Sequence, residues 1–200
     1  MPMQVSINDN AVEVPAPAGL VVNELIEALS VHIEPGEVVT EIEIDGGRFL
    51  AGDWELSWRP VQPTSTCRIT TVSGRVLGES LRADVAGALG VVAAKATRVV
   101  ELLTRGASLE AQGLLGTLLE ELKLTLVLDA HASQLVGQAP VTSADALESV
   151  ASELLGAQQD LDHQRLARAI AEDLVPTLTA WRDELVRHLG DTGSESRPAE

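Results

Sequence analysis

Aromatic residues are nearly absent from this sequence. Its 200 residues include three tryptophans, one phenylalanine and no tyrosine, although 45% of them are hydrophobic. Aromatic side chains usually supply much of the area that a core buries. The sequence therefore predicts a core of aliphatic side chains, in a chain long enough for one ordinary domain or two small ones.

Basic residues are scarce too. The chain has 14 lysines and arginines against 30 acidic residues, which gives a formal net charge of −16. Nonspecific nucleic-acid binding depends on neutralising phosphates, and an anionic membrane surface repels a chain of this charge. We therefore do not expect nucleic acid or a membrane surface among its partners.

Long apolar runs, paired cysteines and an export signal are also missing. No run approaches the roughly 18 residues of a membrane-spanning helix, and Cys67 has no second cysteine with which to form an internal disulfide. Residues 1–4 lack the basic-then-apolar order of a secretory signal. The 12 arginines against 2 lysines are typical of a GC-rich bacterial genome. We expect a soluble protein of the bacterial cytoplasm, without membrane insertion.

The two parts of the chain differ in composition. Residues 1–75 contain 16 valines and isoleucines and 5 leucines, whereas residues 76–200 contain 13 and 24. β-Branched residues favour strands and leucine favours helices. The sequence predicts an α+β protein: a domain with strands over 1–74, a helical bundle over 75–190 and a disordered acidic tail over 191–200.

Short strands and one helix are predicted for the first part. Asn8-Asp9-Asn10 and Gly46-Gly47 are typical of tight turns. Residues 48–66 follow no regular pattern and are expected to be irregular. Strand patterns lie at 4–7, 11–14, 38–44 and 67–72, and a helical pattern lies at 20–29.

This order of elements resembles the β-grasp fold, and in particular the small ubiquitin-like sulfur carriers of thiamin and molybdopterin synthesis. The resemblance covers residues 3–74, and no family is recognised for residues 75–200. It is carried by Val5-Ser6-Ile7-Asn8, Val12-Glu13-Val14-Pro15, Val22-Asn23-Glu24-Leu25-Ile26, residues 39–44 with Asp45-Gly46-Gly47, Asp53-Trp54-Glu55 and Ile69-Thr70-Thr71-Val72-Ser73-Gly74.

The resemblance implies a carrier whose C-terminal Gly-Gly carboxylate is adenylated and converted to a thiocarboxylate. The corresponding position here is Ser73-Gly74, and the chain continues for another 126 residues. Carrier chemistry would therefore require proteolytic release after Gly74. A fused sulfur-carrier-like protein of cofactor biosynthesis is the alternative function.

Apolar residues at helical spacing fill the second part. Residues 77–103 predict one long helix that Gly106 ends. A second helix is predicted over 108–136, capped by Ser108. Residues 122–129 alternate as in a strand, so both structures stay open there, although the leucine-rich context favours helix. As a helix, this segment is apolar nearly all round and is expected to lie centrally.

A third helical region is predicted after a loop. The Thr-x-x-Asp spacing of Thr142 and Asp145 is typical of a capping box. Residues 160–162 could divide this region, and Pro176 should kink it. Three or four long helices with short connections predict an antiparallel bundle, whose unfilled apolar stripes could also recruit a second copy of the chain.

Residues with catalytic or metal-binding chemistry are scattered. Asp160 and His163 have the i,i+3 spacing of di-iron bundles, but those sites need two such motifs and further glutamates; a metal enzyme is the weaker alternative. Cys67 has no Cys-x-x-Cys partner and is expected to be a small buried hydrophobe. No phosphate loop or nucleophile motif occurs. We predict no enzyme, no catalytic or metal-binding residue and no cofactor. The histidines are His32, His131, His163 and His188.

Three of the four aromatic residues lie within residues 49–58, namely Phe49, Trp54 and Trp58, and Arg59 follows them. In one interpretation both tryptophans close the core of the small domain. In the other, one of them is exposed with Arg59 as an anchor for a partner, because Trp and Arg dominate binding hot spots. We assign Phe49, Trp54, Trp58 and Arg59 as candidate partner-binding residues.

The leading hypothesis is a noncatalytic protein–protein interaction module in a bacterial cytoplasm, acting as an adaptor, an assembly factor or a secretion-type chaperone. Its partner would be another protein. The hypothesis combines a ubiquitin-like domain, which commonly serves as a binding module, with long aliphatic stripes that could recruit other helices.

Overall fold

The computed structural model describes residues 2–15, 19–50, 57–140 and 144–195. The chain divides into two compact units, Met1–Val76 and Leu77–Glu200. The division lies two residues after the boundary expected from composition.

The first unit is a five-stranded mixed sheet with one helix packed on it. Its elements are β1 (Pro2–Ile7), β2 (Asn10–Pro15), α1 (Val22–Leu29), β3 (Glu37–Ile44), β4 (Gly47–Leu50) and β5 (Thr66–Ser73). The strand order is β2-β1-β5-β3-β4, with β1 and β5 parallel and the other neighbours antiparallel. This is the β-grasp topology expected from the sequence.

Both hairpins close through tight turns at the predicted positions. Asn8 and Asp9 have positive φ angles of 47° and 68°, and Asp45 and Gly46 have φ angles of 50° and 82°. Two consecutive positive φ angles favour the twist that joins antiparallel strands. The second turn leads into β4, so the expectation that residues 48–66 are irregular throughout is wrong at their start.

Aliphatic side chains from the sheet and from α1 pack together and form the core of this unit. Cys67, Ile69 and Thr71 of β5 are buried, while the residues between them are exposed, which is the alternation of a strand with one face inward. The buried set includes Met3, Val5, Ile7, Val14, Val22, Leu25, Leu29, Ile42 and Ile44. The aliphatic core predicted from the shortage of aromatic residues is confirmed in this unit.

The second unit consists of long helices. They are α2 (Gly74–Thr104), whose first three residues precede the division, α3 (Ser108–Val136), α4 (Ala144–Gln159), α5 (His163–Ala169), a π-helical segment (Ile170–Leu174) and α6 (Val175–Glu195). Residues 122–129 are therefore helical. Lys95 pairs with Glu121, and Arg82 donates to Ser133, so positions further along α2 meet positions earlier in α3. These two helices are antiparallel, as predicted.

Three local predictions for this unit are wrong. Ser108 does not cap α3, because Ala107 occupies the N-cap and no side chain caps it. The segment 122–129 is not central on all sides, since Leu124 and Val127 are 59% and 53% exposed. The backbone of α6 runs to Glu195 and so enters the segment predicted as a disordered tail; helical residues before it let the chain continue the same hydrogen-bonding pattern.

A π-helical segment precedes Pro176, the position at which the sequence predicts a kink. The π-helical segment ends at Leu174, two residues before Pro176, whose ring nitrogen cannot donate a hydrogen bond. The capping box predicted at Thr142 lies partly outside the described residues. In the described ranges, no helix combines the length and the apolar character needed to cross a membrane.

Candidate functional site

Two of the candidate residues from the sequence, Phe49 and Arg59, meet at one edge of the β-grasp sheet. Phe49 lies in the edge strand β4 opposite Ile42, which turns its side chain toward the core, and it is partly buried there. Leu50 follows on the other face of the strand and is 72% exposed. We call Phe49, Trp58 and Arg59 the aromatic surface.

Arg59 is held in place by its backbone and by Phe49. Its Cζ atom lies 4.7 Å from the centre of the Phe49 ring, a cation–π distance. Its carbonyl accepts a hydrogen bond from the Val22 amide at 3.1 Å, and the Val61 amide donates to the Leu20 carbonyl at 2.8 Å. The backbone after Trp58 is thus tied to the beginning of α1.

Trp58 projects from this anchored segment. Its side chain is 72% exposed, so the interpretation that both tryptophans close the core is wrong for Trp58. Trp54, the other candidate, lies outside the described residues. The structure therefore brings Phe49, Trp58 and Arg59 to neighbouring positions, with Phe49 partly buried and Trp58 and Arg59 exposed.

Asp45, in the turn before β4, is an ionised carboxylate near Arg59. The Thr66 amide and the Ser65 hydroxyl donate to the Asp45 carboxylate, each at 2.9 Å. These hydrogen bonds, with a smaller contribution from the positive charge of Arg59, hold the pKa of Asp45 below its usual range. Asp45 therefore stays ionised at neutral pH and fixes the turn before β4 to the beginning of β5.

The position that would carry sulfur-carrier chemistry is built into the fold. Ser73 ends β5 and Gly74 begins α2. Gly74 is buried, and its amide donates to the Gly36 carbonyl at 2.7 Å. Its carbonyl carbon is therefore part of a continuous strand-to-helix connection.

Asp160 and His163, the candidate metal-binding pair in the helices, each contact a different side chain. Asp160 accepts a hydrogen bond from Arg165 at 2.9 Å, whereas His163 Nδ1 lies 3.3 Å from the Ser108 hydroxyl. Among the described residues, no group of three or more His, Cys, Asp or Glu side chains could hold a metal ion.

Cys67 has the environment of a structural cysteine. It is buried in β5, and burial raises the pKa of its thiol to about 11, with a smaller contribution from the negative charge of Asp45. Nucleophilic cysteines need the opposite shift, because the thiolate is the reactive form. This arrangement favours packing over catalysis.

A second surface lies within the helical unit and was missed by sequence reasoning. An apolar groove with a volume of about 330 Å³ runs between α3 and α4, with Leu174 of the π-helical segment as a further lining residue. Leu119 and Leu155 on its walls are 39% and 55% exposed. Nine of its ten lining residues are apolar: Leu119, Leu122, Leu126, Leu147, Val150, Ala151, Leu154, Leu155 and Leu174, joined by Gln158.

The chain matches no family model, no curated protein and no solved structure. A functional assignment therefore depends on the chemistry of its two surfaces, the aromatic surface and the apolar groove.

Proposed function

We propose that the protein is a noncatalytic protein–protein interaction module of a bacterial cytoplasm, an adaptor, assembly factor or secretion-type chaperone. The observation that carries the proposal is the exposure of Trp58 beside an arginine that is already fixed in position. Trp58 is 72% exposed, and covering a large apolar side chain on binding is favourable by about 1.5–3 kcal/mol.

Preorganisation of the aromatic surface supports this proposal. The backbone of Arg59 is already hydrogen-bonded to the beginning of α1. Binding of a partner at Arg59 therefore loses little conformational entropy in this backbone. Trp and Arg are the residues most enriched among binding hot spots.

The test is site-specific photo-cross-linking in cells of the source organism. A photoreactive phenylalanine analogue replaces Trp58 in one variant and Val31, which is 81% exposed, in a control variant. We expect one protein to cross-link from position 58 and not from position 31. Its affinity, measured with purified components, should fall by about thirtyfold in Trp58→Ala, the effect of a 2 kcal/mol hot spot. Equal affinity for Trp58→Ala and wild type would refute the aromatic surface as the anchor.

A fused sulfur carrier is the second candidate, and the β-grasp topology is the observation that favours it. It requires cleavage after Gly74 and activation of the new carboxylate. Intact mass spectrometry after expression with the host's activating enzymes would then show a fragment ending at Gly74 with one oxygen replaced by sulfur. A chain of unchanged full-length mass would eliminate this candidate.

A further inference from the structure

We propose that the apolar groove between α3 and α4 binds a basic amphipathic helix of a partner protein. The inference rests on the proposed function, because both make the chain a protein-binding protein, but it concerns a different surface and a defined class of ligand. The first argument comes from the groove's lining. With nine apolar residues among ten, it offers almost no hydrogen-bond partner to a polar occupant.

The lining restricts the backbone of the occupant. An extended peptide needs backbone partners such as a free sheet edge, and the helices that form these walls use their own amides and carbonyls internally. A helical occupant satisfies its own backbone and presents only side chains. The groove therefore fits a helix better than a strand or a loop.

The length of the groove sets the spacing of the contacts. Its α4 wall extends from Leu147 to Gln158, which is about 16 Å at 1.5 Å per residue. Three turns of a partner helix span that distance, so apolar side chains at i, i+3 or i+4, and i+7 would enter the groove. A volume of about 330 Å³ gives room for such aliphatic side chains.

The charge around the groove selects a basic partner. The segments that form it, 119–126, 147–158 and 170–174, contain six acidic residues and one basic residue, Lys123. Lys95 and Arg165 pair with two of the six, Glu121 and Glu153, so the excess of negative charge comes from the other four, Glu120, Glu148, Glu172 and Asp173. Glu172 and Asp173 line an adjoining open cavity, and Val150 lines both that cavity and the groove. A helix with lysine or arginine beside its apolar stripe would place positive charge over these carboxylates.

The same charge disfavours a second copy of this chain as the occupant. Residues 144–159, which form α4, contain three acidic residues and no basic residue. A symmetric contact through α4 would bring like charges together, and such a juxtaposition costs free energy. The basic helix is therefore the favoured occupant, and self-association is an outcome that the test must detect.

The probe is a synthetic helical peptide of about 15 residues with leucine at i, i+3 or i+4, and i+7 and lysine on its other faces, because three to four turns match the groove. Its binding to the full-length protein is measured by fluorescence anisotropy at about 150 mM salt, where long-range charge attraction is screened beyond about 8 Å. We expect saturable binding. A matched peptide with glutamate in place of lysine should bind at least about tenfold more weakly, which corresponds to 1.4 kcal/mol.

Two matched variants separate groove binding from simple attraction to an acidic protein. Leu155→Glu changes the α4 wall, and Val186→Glu changes a side chain of α6 that is outside the groove; their exposures are 55% and 54%. Both add one negative charge. Binding in the groove predicts weaker binding only for Leu155→Glu, whereas unspecific attraction predicts equal or tighter binding for both.

Several results would overturn the proposal. They are no saturable binding of the lysine peptide, equal binding of the glutamate peptide, or equal binding by the two variants. A dimer of the wild-type protein that Leu155→Glu dissociates in sedimentation experiments would show that a second copy covers the groove instead. If no partner cross-links from position 58 but the lysine peptide still binds, only the proposal for the aromatic surface is refuted. The two proposals can therefore fail separately.

Discussion

Trp181 of the helical unit and Trp58 of the β-grasp unit lie in opposite environments. The helical unit buries Trp181, which is 3% exposed, among aliphatic side chains from several helices. The β-grasp unit closes its core with aliphatic residues and Cys67 and leaves Trp58 72% exposed. A small domain gains stability from each large side chain that it buries. The exposure of Trp58 is the reason we propose it as a binding residue.

The units also differ in where they expose aliphatic surface. In the helical unit, apolar side chains remain exposed where α3 and α4 form the walls of the groove. In the β-grasp unit, Trp58 is exposed next to Arg59, whose guanidinium group makes the cation–π contact with Phe49. The first surface is a concave strip for several small contacts, and the second presents one large anchor. The two proposals therefore concern two different kinds of partner contact.

The largest effect is expected from removing the two tryptophans in turn. Trp181→Ala should lower the free energy of unfolding by about 3–5 kcal/mol, because it leaves a cavity in the helical core. Trp58→Ala should change it by less than about 0.5 kcal/mol, as is usual for exposed positions. Urea unfolding followed by circular dichroism reports on the helices, and hydrogen exchange of the β5 amides reports on the sheet.

Similar losses in the two variants would break the comparison. In particular, faster exchange of the β5 amides in Trp58→Ala would mean that Trp58 supports the core of the β-grasp unit. The aromatic surface would then be part of that core.

A smaller effect is expected where α2 approaches α3 closely. A Cβ atom on Gly78 would lie 2.7 Å from Val136 Cγ1 and 2.9 Å from the Ala132 carbonyl oxygen, whereas one on Gly87 would meet nothing within 4 Å. Gly78→Ala should therefore cost about 1–3 kcal/mol through overpacking. Gly87→Ala, on the same helix, should gain about 0.5–1 kcal/mol because alanine favours helix. Thermal unfolding of the two variants should shift in opposite directions; a stabilised Gly78→Ala would contradict the close approach.

Much of the architecture follows from local sequence. The Asn8-Asp9 and Asp45-Gly46 turns, the alternation in β5 and the apolar stripe of α2 each determine their own backbone, so the β-grasp order and the long helices could be predicted. The strand β4 could not, because four residues with a paired neighbour on one side carry too little pattern. The N-cap of α3 was also predicted wrongly, at Ser108 instead of Ala107. Sequence patterns do not locate a helix end to within one residue.

The candidate surfaces were predictable to different degrees. The cluster of Phe49, Trp58 and Arg59 is visible in sequence because aromatic residues are rare elsewhere in the chain. Its geometry is not, since the Arg59–Phe49 contact depends on the pairing of residues 59–61 with the beginning of α1. The apolar groove was hidden because leucines on α3 and α4 look the same whether a neighbouring helix covers them or not. Only tertiary packing decides that Leu155 is exposed while Leu154 is buried.

A still smaller effect on the free energy of unfolding is expected from Asp45 in the β-grasp unit, and it should depend on pH. Because the Thr66 amide and the Ser65 hydroxyl lower the pKa of Asp45, folding favours its ionised form. The stabilisation is therefore fully present above the unfolded pKa, near 3.8, and is lost as the pH falls through the lower pKa of the folded state. We expect Asp45→Asn to destabilise the protein at pH 7 and to lose this effect in acid, measured by urea unfolding across pH. A difference that stays constant down to the most acidic pH would contradict the role of the charge.

The smallest effect compares how each unit holds a carboxylate with a lowered pKa. Asp45 is held mainly by uncharged donors, whereas Glu153 of α4 is held by Arg165, with bonds of 2.7 and 2.9 Å to its two oxygens. Exposed ion pairs contribute little and are screened by salt. Arg165→Ala should therefore cause a slight loss of stability that disappears at about 1 M sodium chloride, where the screening length is about 3 Å. The loss in Asp45→Asn should persist at that salt concentration, because hydrogen bonds from an amide and a hydroxyl are short-range. Equal salt sensitivity in the two variants would show that Asp45 too is held by charge, and that Arg59 matters more to its turn than the hydrogen bonds do.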